Sequence, residues 1–265
     1  GEAAVTYSDS DRYYSQYEEA IIETGKGKNP HKKSISIKLS SLHPRYERNK
    51  LDLLKKELFP KAYKLTELGR ENNVDICFDA EEADRLNLSL FIFKEIIESK
   101  LIDEKYQGFG FAVQAYQKRA FFALDWLKKY LNKVNKKINI WLVKGAYWDT
   151  EIKVAQEQGF IDYPVFTKKF ATDISYLACA HKLHDNDNVF SQFATHNAHS
   201  ISYIKTLFKD RDFEFQKLHG MGDEIYSYLE KDENFKCRVY ARVGGYKDLL
   251  PYLVRRLLEN GANTS

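Results

Sequence analysis

Cysteine is scarce: three stand in 265 residues, Cys77, Cys179 and Cys237. Odd in number and far apart, they offer no disulfide framework and no C-x-x-C pair for a metal or redox centre. A reducing compartment fits this usage best. No long apolar run is present, so no segment reads as a membrane-spanning helix, and no stretch has the make-up of a signal peptide. The expectation is a cytoplasmic chain. Charge of one sign is also missing, because 41 lysines and arginines stand against 38 acidic residues for a net +3. A dedicated nucleic-acid binder would show a concentrated basic stripe. The short runs Lys32-Lys33 and Lys128-Lys129 read instead as exposed faces. Internal repeats and low-complexity segments are absent too.

What is there is organised around the stretch Ile138-Asn-Ile-Trp-Leu-Val-Lys-Gly-Ala-Tyr-Trp-Asp-Thr150. It reads as a strand that stops at a glycine and opens a helix. Side chains alternate along a strand, so Ile138, Ile140 and Leu142 share one face while Asn139, Trp141 and Val143 share the other. Past Gly145, Tyr147 and Trp148 fall on the loop at the strand's carboxyl end, and Asp149 is placed to cap a helix starting near Glu151. Open and barrel α/β folds put their chemistry at that position.

The rest of the chain alternates strand-like and helix-like segments. A leading helix over 11–23, with Tyr14, Tyr17, Ala20 and Ile21 to one side, is followed by a Gly-Lys-Gly-Lys-Asn-Pro linker. Strands are predicted over 34–40, 74–79, 109–114, 138–143, 189–194, 213–218 and 236–242. Helices are predicted over 49–72, 82–99, 119–132, 151–158, 165–183, 199–208, 223–230 and 247–259. Such alternation favours a parallel sheet. Polar residues recur on one face: Ser34, Ser36 and Lys38; Asp75, Cys77 and Asp79; Arg238, Tyr240 and Arg242. Strands buried on both sides of an open sheet would be apolar on both, so an α/β barrel of the (βα)8 TIM type is expected, with its first strand missing. Residues 1–33 form the leading helix and linker, and 34–265 the barrel, as one domain.

At the carboxyl ends of the strands the inward side offers Lys38, Asp79, Gln114, Trp141 with Val143, Thr195, His196 and Asn197, Leu218 with His219, and Tyr240. Lys38 and Asp79 read equally as an ion pair between neighbouring strands. Asp79, His196 and His219 have no metal-ligand spacing, and no metal is expected. The last helix has Leu250, Leu253, Val254 and Leu257 on its buried side, with Arg255, Arg256 and Glu259 beside them. Two such arginines either snorkel at a helix edge or lean over the mouth as a bidentate carboxylate clamp.

Seven motifs together carry a resemblance: Ser36-Ile-Lys-Leu-Ser-Ser-Leu-His-Pro-Arg-Tyr46, Asp79-Ala-Glu-Glu-Ala-Asp-Arg-Leu86, Val113-Gln-Ala-Tyr-Gln-Lys-Arg119, Leu142-Val-Lys-Gly-Ala-Tyr-Trp-Asp149, Gln192-Phe-Ala-Thr-His-Asn197, Leu218-His-Gly-Met-Gly222 and Tyr252-Leu-Val-Arg-Arg-Leu-Leu-Glu-Asn-Gly-Ala-Asn263. From about Ser34 onward the chain resembles the proline dehydrogenase domain of the bifunctional bacterial proline utilization A flavoenzymes. The resemblance implies a distorted (βα)8 barrel holding non-covalent FAD. It implies oxidation of L-proline to Δ1-pyrroline-5-carboxylate, hydride passing from proline C5 to flavin N5, and reoxidation by a membrane quinone. It further implies peripheral contact with the inner membrane and a downstream aldehyde dehydrogenase domain in the parent protein, with no nucleic-acid contact through this domain. By motif, Arg255, Arg256 and Lys38 would hold the proline carboxylate, Tyr147, Leu218 and Tyr240 would wall the ring, and Asp79 would orient the cations. Gln114, Val143, Trp148, Thr167, Lys169, Thr195, His196 and Glu259 fall on the flavin side, with Trp148 against the adenine and Lys169 and His196 suited to the pyrophosphate charge.

Two positions depart from the family pattern. The family's arginine before Leu-Val-Lys-Gly-Ala-Tyr-Trp, close to flavin N5 and the pyrophosphate, is Trp141 here, an indole in the place of a cation. Arg242 stands where the family has proline. The beginning at Gly1-Glu-Ala-Ala resembles the loop after the first barrel strand, so the chain is expected to be a piece of a larger polypeptide. The competing expectation is a non-catalytic barrel that keeps only ligand or partner binding.

Overall fold

The structure, a computed structural model, describes residues 3–27, 32–232, 235–242 and 254. The predicted helix over 247–259 lies outside the described residues apart from Val254, and with it Arg255, Arg256 and Glu259. Among the described residues the fold is α/β of the distorted (βα)8 type with one strand fewer. Its order is α1 (Tyr7–Lys26), β1 (Lys33–Ile37), α2 (Leu51–Glu71), β2 (Val74–Phe78), α3 (Leu86–Glu98), β3 (Phe109–Gln114), α4 (Ala120–Val134), β4 (Ile138–Val143), α5 (Trp148–Glu157), α6 (Lys169–His184), β5 (Val189–Ala194), α7 (Ala198–Leu207), β6 (Phe213–Leu218), α8 (Asp223–Leu229) and β7 (Cys237–Tyr240). The seven strands form one sheet in sequence order, and β1–β2, β2–β3, β5–β6 and β6–β7 pair in parallel.

Two compact units share these elements. The first comprises Gly1–Ala112, Leu127–Trp141 and Asn188–Phe190; the second comprises Val113–Trp126, Leu142–Asp187 and Ser191–Ser265. In the first, Phe78, Phe93, Phe109 and Phe111 form an aromatic core. Phe93 stacks on Phe109 at 4.6 Å and Phe78 meets Phe109 edge-on at 5.0 Å, pairs worth about 0.5–1.5 kcal/mol each beyond their buried area. The opposite face of β2 carries a polar cluster: the Asn139 amide of β4 donates to the buried Asp75 at 3.3 Å, and Lys32 stands 3.5 Å from the same carboxylate. In the second unit Phe193, Phe208, Phe213 and Phe215 play the part of the aromatic core.

Several bounds move from their sequence positions for local reasons. The leading helix starts four residues earlier than predicted, because Thr6 and Asp9 form a capping box: Asp9 N–H donates to Thr6 Oγ1 at 3.1 Å and Thr6 N–H to Asp9 Oδ2 at 3.0 Å. Such a box satisfies two N-terminal donors reciprocally. The first strand stops at Ile37 rather than Ser40. Ser41 turns its hydroxyl and N–H onto the Lys38 carbonyl at 2.6 and 3.1 Å, and this local bonding displaces the ladder. The strand predicted over 236–242 is confined to Cys237–Tyr240, leaving Arg242 outside it. Asp149 is not a cap: α5 begins at Trp148, and Asp149 lies in its first turn, where its charge favours the helix's positive end.

Candidate functional site

In the first unit, Lys38 and Asp79 immediately follow the carboxyl ends of β1 and β2. Ile37 pairs with Phe78, and the Asp79 N–H continues the ladder onto the Ile37 carbonyl at 2.9 Å. The two strands thus deliver a cation and an anion side by side. The Lys38 N–H donates to the Tyr17 hydroxyl at 3.2 Å. Burial is the main cause that pushes the Tyr17 hydroxyl above its ordinary range, with Lys38 lowering it and Asp79 raising it. Two residues further on, the Ser40 N–H donates to Glu81 at 3.0 Å. Arg85 pairs with the same carboxylate at 3.1 Å. Trp141, also of this unit, is 7% exposed and shares the polar face of β4 with Asn139.

In the second unit the turn after β4 is built on Gln114 and Tyr116. Gln114, 2% exposed, accepts the Ala146 N–H on Oε1 at 3.0 Å. Ala115 and Tyr116 donate their N–H groups to the Val143 and Lys144 carbonyls at 2.8 and 2.7 Å. Gly145, at φ +150°, lies so close over the Tyr116 ring that a Cβ would sit 2.4 Å from it. Only glycine fits a positive φ and so close an approach. Lys144 is paired with Asp173 and lies over the Tyr176 ring at 5.8 Å. The turn therefore fixes Tyr147 and Trp148 at the start of α5. The Trp148 indole N–H donates to the Phe166 carbonyl at 3.0 Å while the side chain stays exposed.

Thr167 was expected inside a helix, yet α6 starts at Lys169. The preceding backbone is used otherwise, since Phe166 N–H donates to Tyr116 O at 2.8 Å and Val165 bridges Gln117. Thr167 and Lys169 thus stand at the amino end of a helix with no side-chain cap and no acidic residue in its first turn. Uncapped amides and the helix dipole suit an anion there.

At the ends of β5 and β6 the backbone N–H of Leu218 donates to His196 Nε2 at 3.2 Å. A backbone N–H can only donate, so Nε2 is the acceptor and the ring proton resides on Nδ1. In this contact His196 is the acceptor at Nε2, and Nδ1–H is left as its donor. Thr195 is buried, and its carbonyl accepts the Tyr226 hydroxyl at 2.7 Å. Tyr240 pairs with Leu218 across β6 and β7, and the His219 N–H donates to the Tyr240 carbonyl at 2.9 Å. Beneath them Glu214 gathers Gln192 at 2.9 Å, Gln216 at 3.2 Å and Arg238 at 2.6 and 3.1 Å.

The structure thus joins Lys38 with Asp79, joins Gln114 with the Tyr147–Trp148 turn, and joins Thr195, His196, Leu218 and Tyr240. Val143 ends β4 beside that turn. Arg255, Arg256 and Glu259 lie outside the described residues. Sequence reasoning gave no site role to Tyr17, Tyr116, Asp173, Gly222 and Tyr226. Their partners are distant in sequence, and only the Gly145 and Gly222 motifs carried a local signal.

The sequence pattern of the proline dehydrogenase family matches residues 1–265. The chain is 47% identical over 280 aligned residues to the bifunctional protein PutA of Klebsiella aerogenes, with all of this chain and 21% of that protein covered. It is 43% identical to the protein of the same name from Rhizobium meliloti, covering 98% of this chain and 22% of that one. Among solved structures, a variant of proline utilization A from Bradyrhizobium japonicum superposes with a TM-score of 0.94 at 44% identity, over 100% of this chain and 28% of that one. Proline utilization A from Bdellovibrio bacteriovorus, in a structure inactivated by N-propargylglycine, reaches 0.90 at 29% identity, over 98% of this chain and 29% of that one. The chain spans about a fifth of the length of these curated relatives. It belongs to the proline dehydrogenase family.

Proposed function

We propose that this chain oxidises L-proline to Δ1-pyrroline-5-carboxylate with FAD. The observation that carries the reading is the family match over all 265 residues, and the donor chemistry of the chain supports it. FAD, when bound, would supply the acceptor for the hydride leaving proline C5. The uncapped amino end of α6, with Thr167 and Lys169, is suited to its pyrophosphate. Gln114, Trp141, Val143, Trp148, Thr195, His196 and Glu259 are the further candidates for holding it.

On the substrate side, the Lys38 ammonium would bind the proline carboxylate together with Arg255 and Arg256, and Asp79 would orient Lys38. The neighbouring ends of β1 and β2 are what make that last pairing natural. Tyr147, Leu218 and Tyr240 would pack on the ring and keep water from the reacting carbon. A small zwitterion calls for this division, with charge at one end and apolar walls at the other. In the parent protein a membrane quinone would take the electrons, through peripheral contact with the inner membrane, and an aldehyde dehydrogenase domain would act on the product. Among the described residues no helix is long and apolar enough to cross a membrane.

The test is the visible absorption spectrum of the purified chain, recorded anaerobically before and after L-proline. A flavin spectrum that bleaches supports the reading. A protein that stays colourless with added FAD overturns it in favour of a non-catalytic barrel.

A further inference from the structure

Building on the functional reading above, we propose that Gly222 and Tyr226 are positioning residues, which lock the flavin-facing step Thr195-His196 to the proline-facing Leu218. Three contacts carry this. First, Tyr226 is fully buried, and its hydroxyl donates to the Thr195 carbonyl at 2.7 Å, with the Gln216 carbonyl at 3.5 Å as a weak second acceptor. One hydroxyl of α8 thereby spans the ends of β5 and β6. Burial holds that hydroxyl in its protonated, donating form.

Second, the His196 ring stands between the two backbone ends. Its Nε2 takes the Leu218 N–H at 3.2 Å, and it meets the Tyr226 ring edge-on at 6.0 Å. A shift of this imidazole therefore moves the amide of Leu218, and a shift of Leu218 moves the imidazole. Third, Gly222 has φ +68°, and a Cβ there would stand 2.7 Å from His196 Cδ2 and 3.4 Å from Cγ and from Tyr226 Cδ2. Real Cβ atoms do not tolerate the first distance, so any larger residue displaces the ring as well as straining the left-handed backbone. Glycine at 222 is the condition for the imidazole to reach Leu218.

The consequence is functional coupling: the contacts that would retain the cofactor and those that would seat the substrate ring hang on one helix. Neither Gly222 nor Tyr226 needs to touch either ligand for this. The arrangement also fixes the tautomer, so that His196 presents Nδ1–H.

Two sets of measurements test the proposal. In the full chain, Tyr226→Phe should raise the Kd for FAD about fivefold, the scale of one lost hydrogen bond. Gly222→Ala should raise it about tenfold or more, and should do so through His196. In a His196→Ala background, where the ring is gone and only the backbone strain and the Tyr226 contact remain, Gly222→Ala should add a clearly smaller factor. Equal factors in the two backgrounds, or a Tyr226→Phe chain with wild-type affinity, overturn the proposal. If Gly222→Ala fails to fold, Tyr226→Phe alone decides. The second measurement needs no cofactor: nitrogen-15 spectra of the histidines in the FAD-free chain, with His196 assigned by its loss in His196→Gln. A neutral Nδ1–H ring is expected, and an Nε2–H or doubly protonated ring overturns the proposal. A wild-type chain that takes up no FAD would refute the functional reading, while these spectra would still decide the geometry.

Discussion

The Ala146 N–H donates to Gln114 Oε1 at 3.0 Å, so the side chain that ends β3 holds the turn that ends β4. Gln114 is 2% exposed, which leaves the solvent little chance to replace it. Substituting Gln114→Leu removes the acceptor while keeping the volume, and strands a backbone donor. The cost should be about 1–3 kcal/mol of stability, with a looser Tyr147–Trp148 turn and weaker FAD uptake. Urea unfolding and FAD titration check both. A variant of wild-type stability would mean that the turn is held by Tyr116 and Gly145 alone.

Much of this was legible in the sequence, and the parts that were not share a cause. The bounds of β3, β4, β5 and β6 coincide with the predicted ones, because alternation of side chains and the flanking turn residues both mark them. Lys38 and Asp79 were placed at strand ends for the same reason. The start of α6 was misplaced because Val165 and Phe166 look helical but spend their backbone groups on Gln117 and Tyr116. The neutral state of His196 could not be read either, since it depends on Leu218, 22 residues away. Capping at Thr6 and Asp9, by contrast, was written in the sequence as Thr-x-x-Asp and overlooked.

Glu214 and Arg238 form a forked pair at 2.6 and 3.1 Å in which Glu214 is 9% exposed. Removing one partner leaves a buried charge, so Arg238→Met should destabilise by about 3–5 kcal/mol. Adding Glu214→Gln to that variant should recover a large part of the loss, because no charge then remains to be solvated. Thermal or urea unfolding of the single and double variants measures this. A double variant less stable than Arg238→Met would show that the pair stabilises through geometry rather than mutual neutralisation.

Glu81 is 6% exposed, and desolvation raises its carboxyl above the ordinary 4.5 even though the Ser40 N–H and Arg85 pull it down. A raised acid binds its proton more tightly in the folded state. Stability should therefore fall as pH rises from about 4.5 through the folded value, and level off beyond it. Glu81→Gln keeps an oxygen for the Ser40 N–H and cannot ionise. Its stability should fall less steeply between about pH 4.5 and pH 7. Urea midpoints across that range decide the matter, and parallel curves for the two proteins would show that folding leaves the Glu81 carboxyl unshifted.

Trp141, which by the family resemblance takes the place of an arginine, is buried at 7% exposure on the polar face of β4. An indole offers one N–H and no charge, whereas a guanidinium offers five donors and a permanent cation. If this position faces the flavin as the family pattern implies, Trp141→Arg should tighten FAD binding, and it should raise the reduction potential by favouring the anionic reduced cofactor. The desolvation cost of a buried arginine works against the first effect when FAD is absent. The FAD-free variant should therefore be less stable than the wild type, and the FAD-loaded one should regain that loss through binding linkage. Melting curves with and without FAD separate the two contributions. A variant that is destabilised equally in both states would place Trp141 away from the cofactor and make the substitution a matter of packing alone.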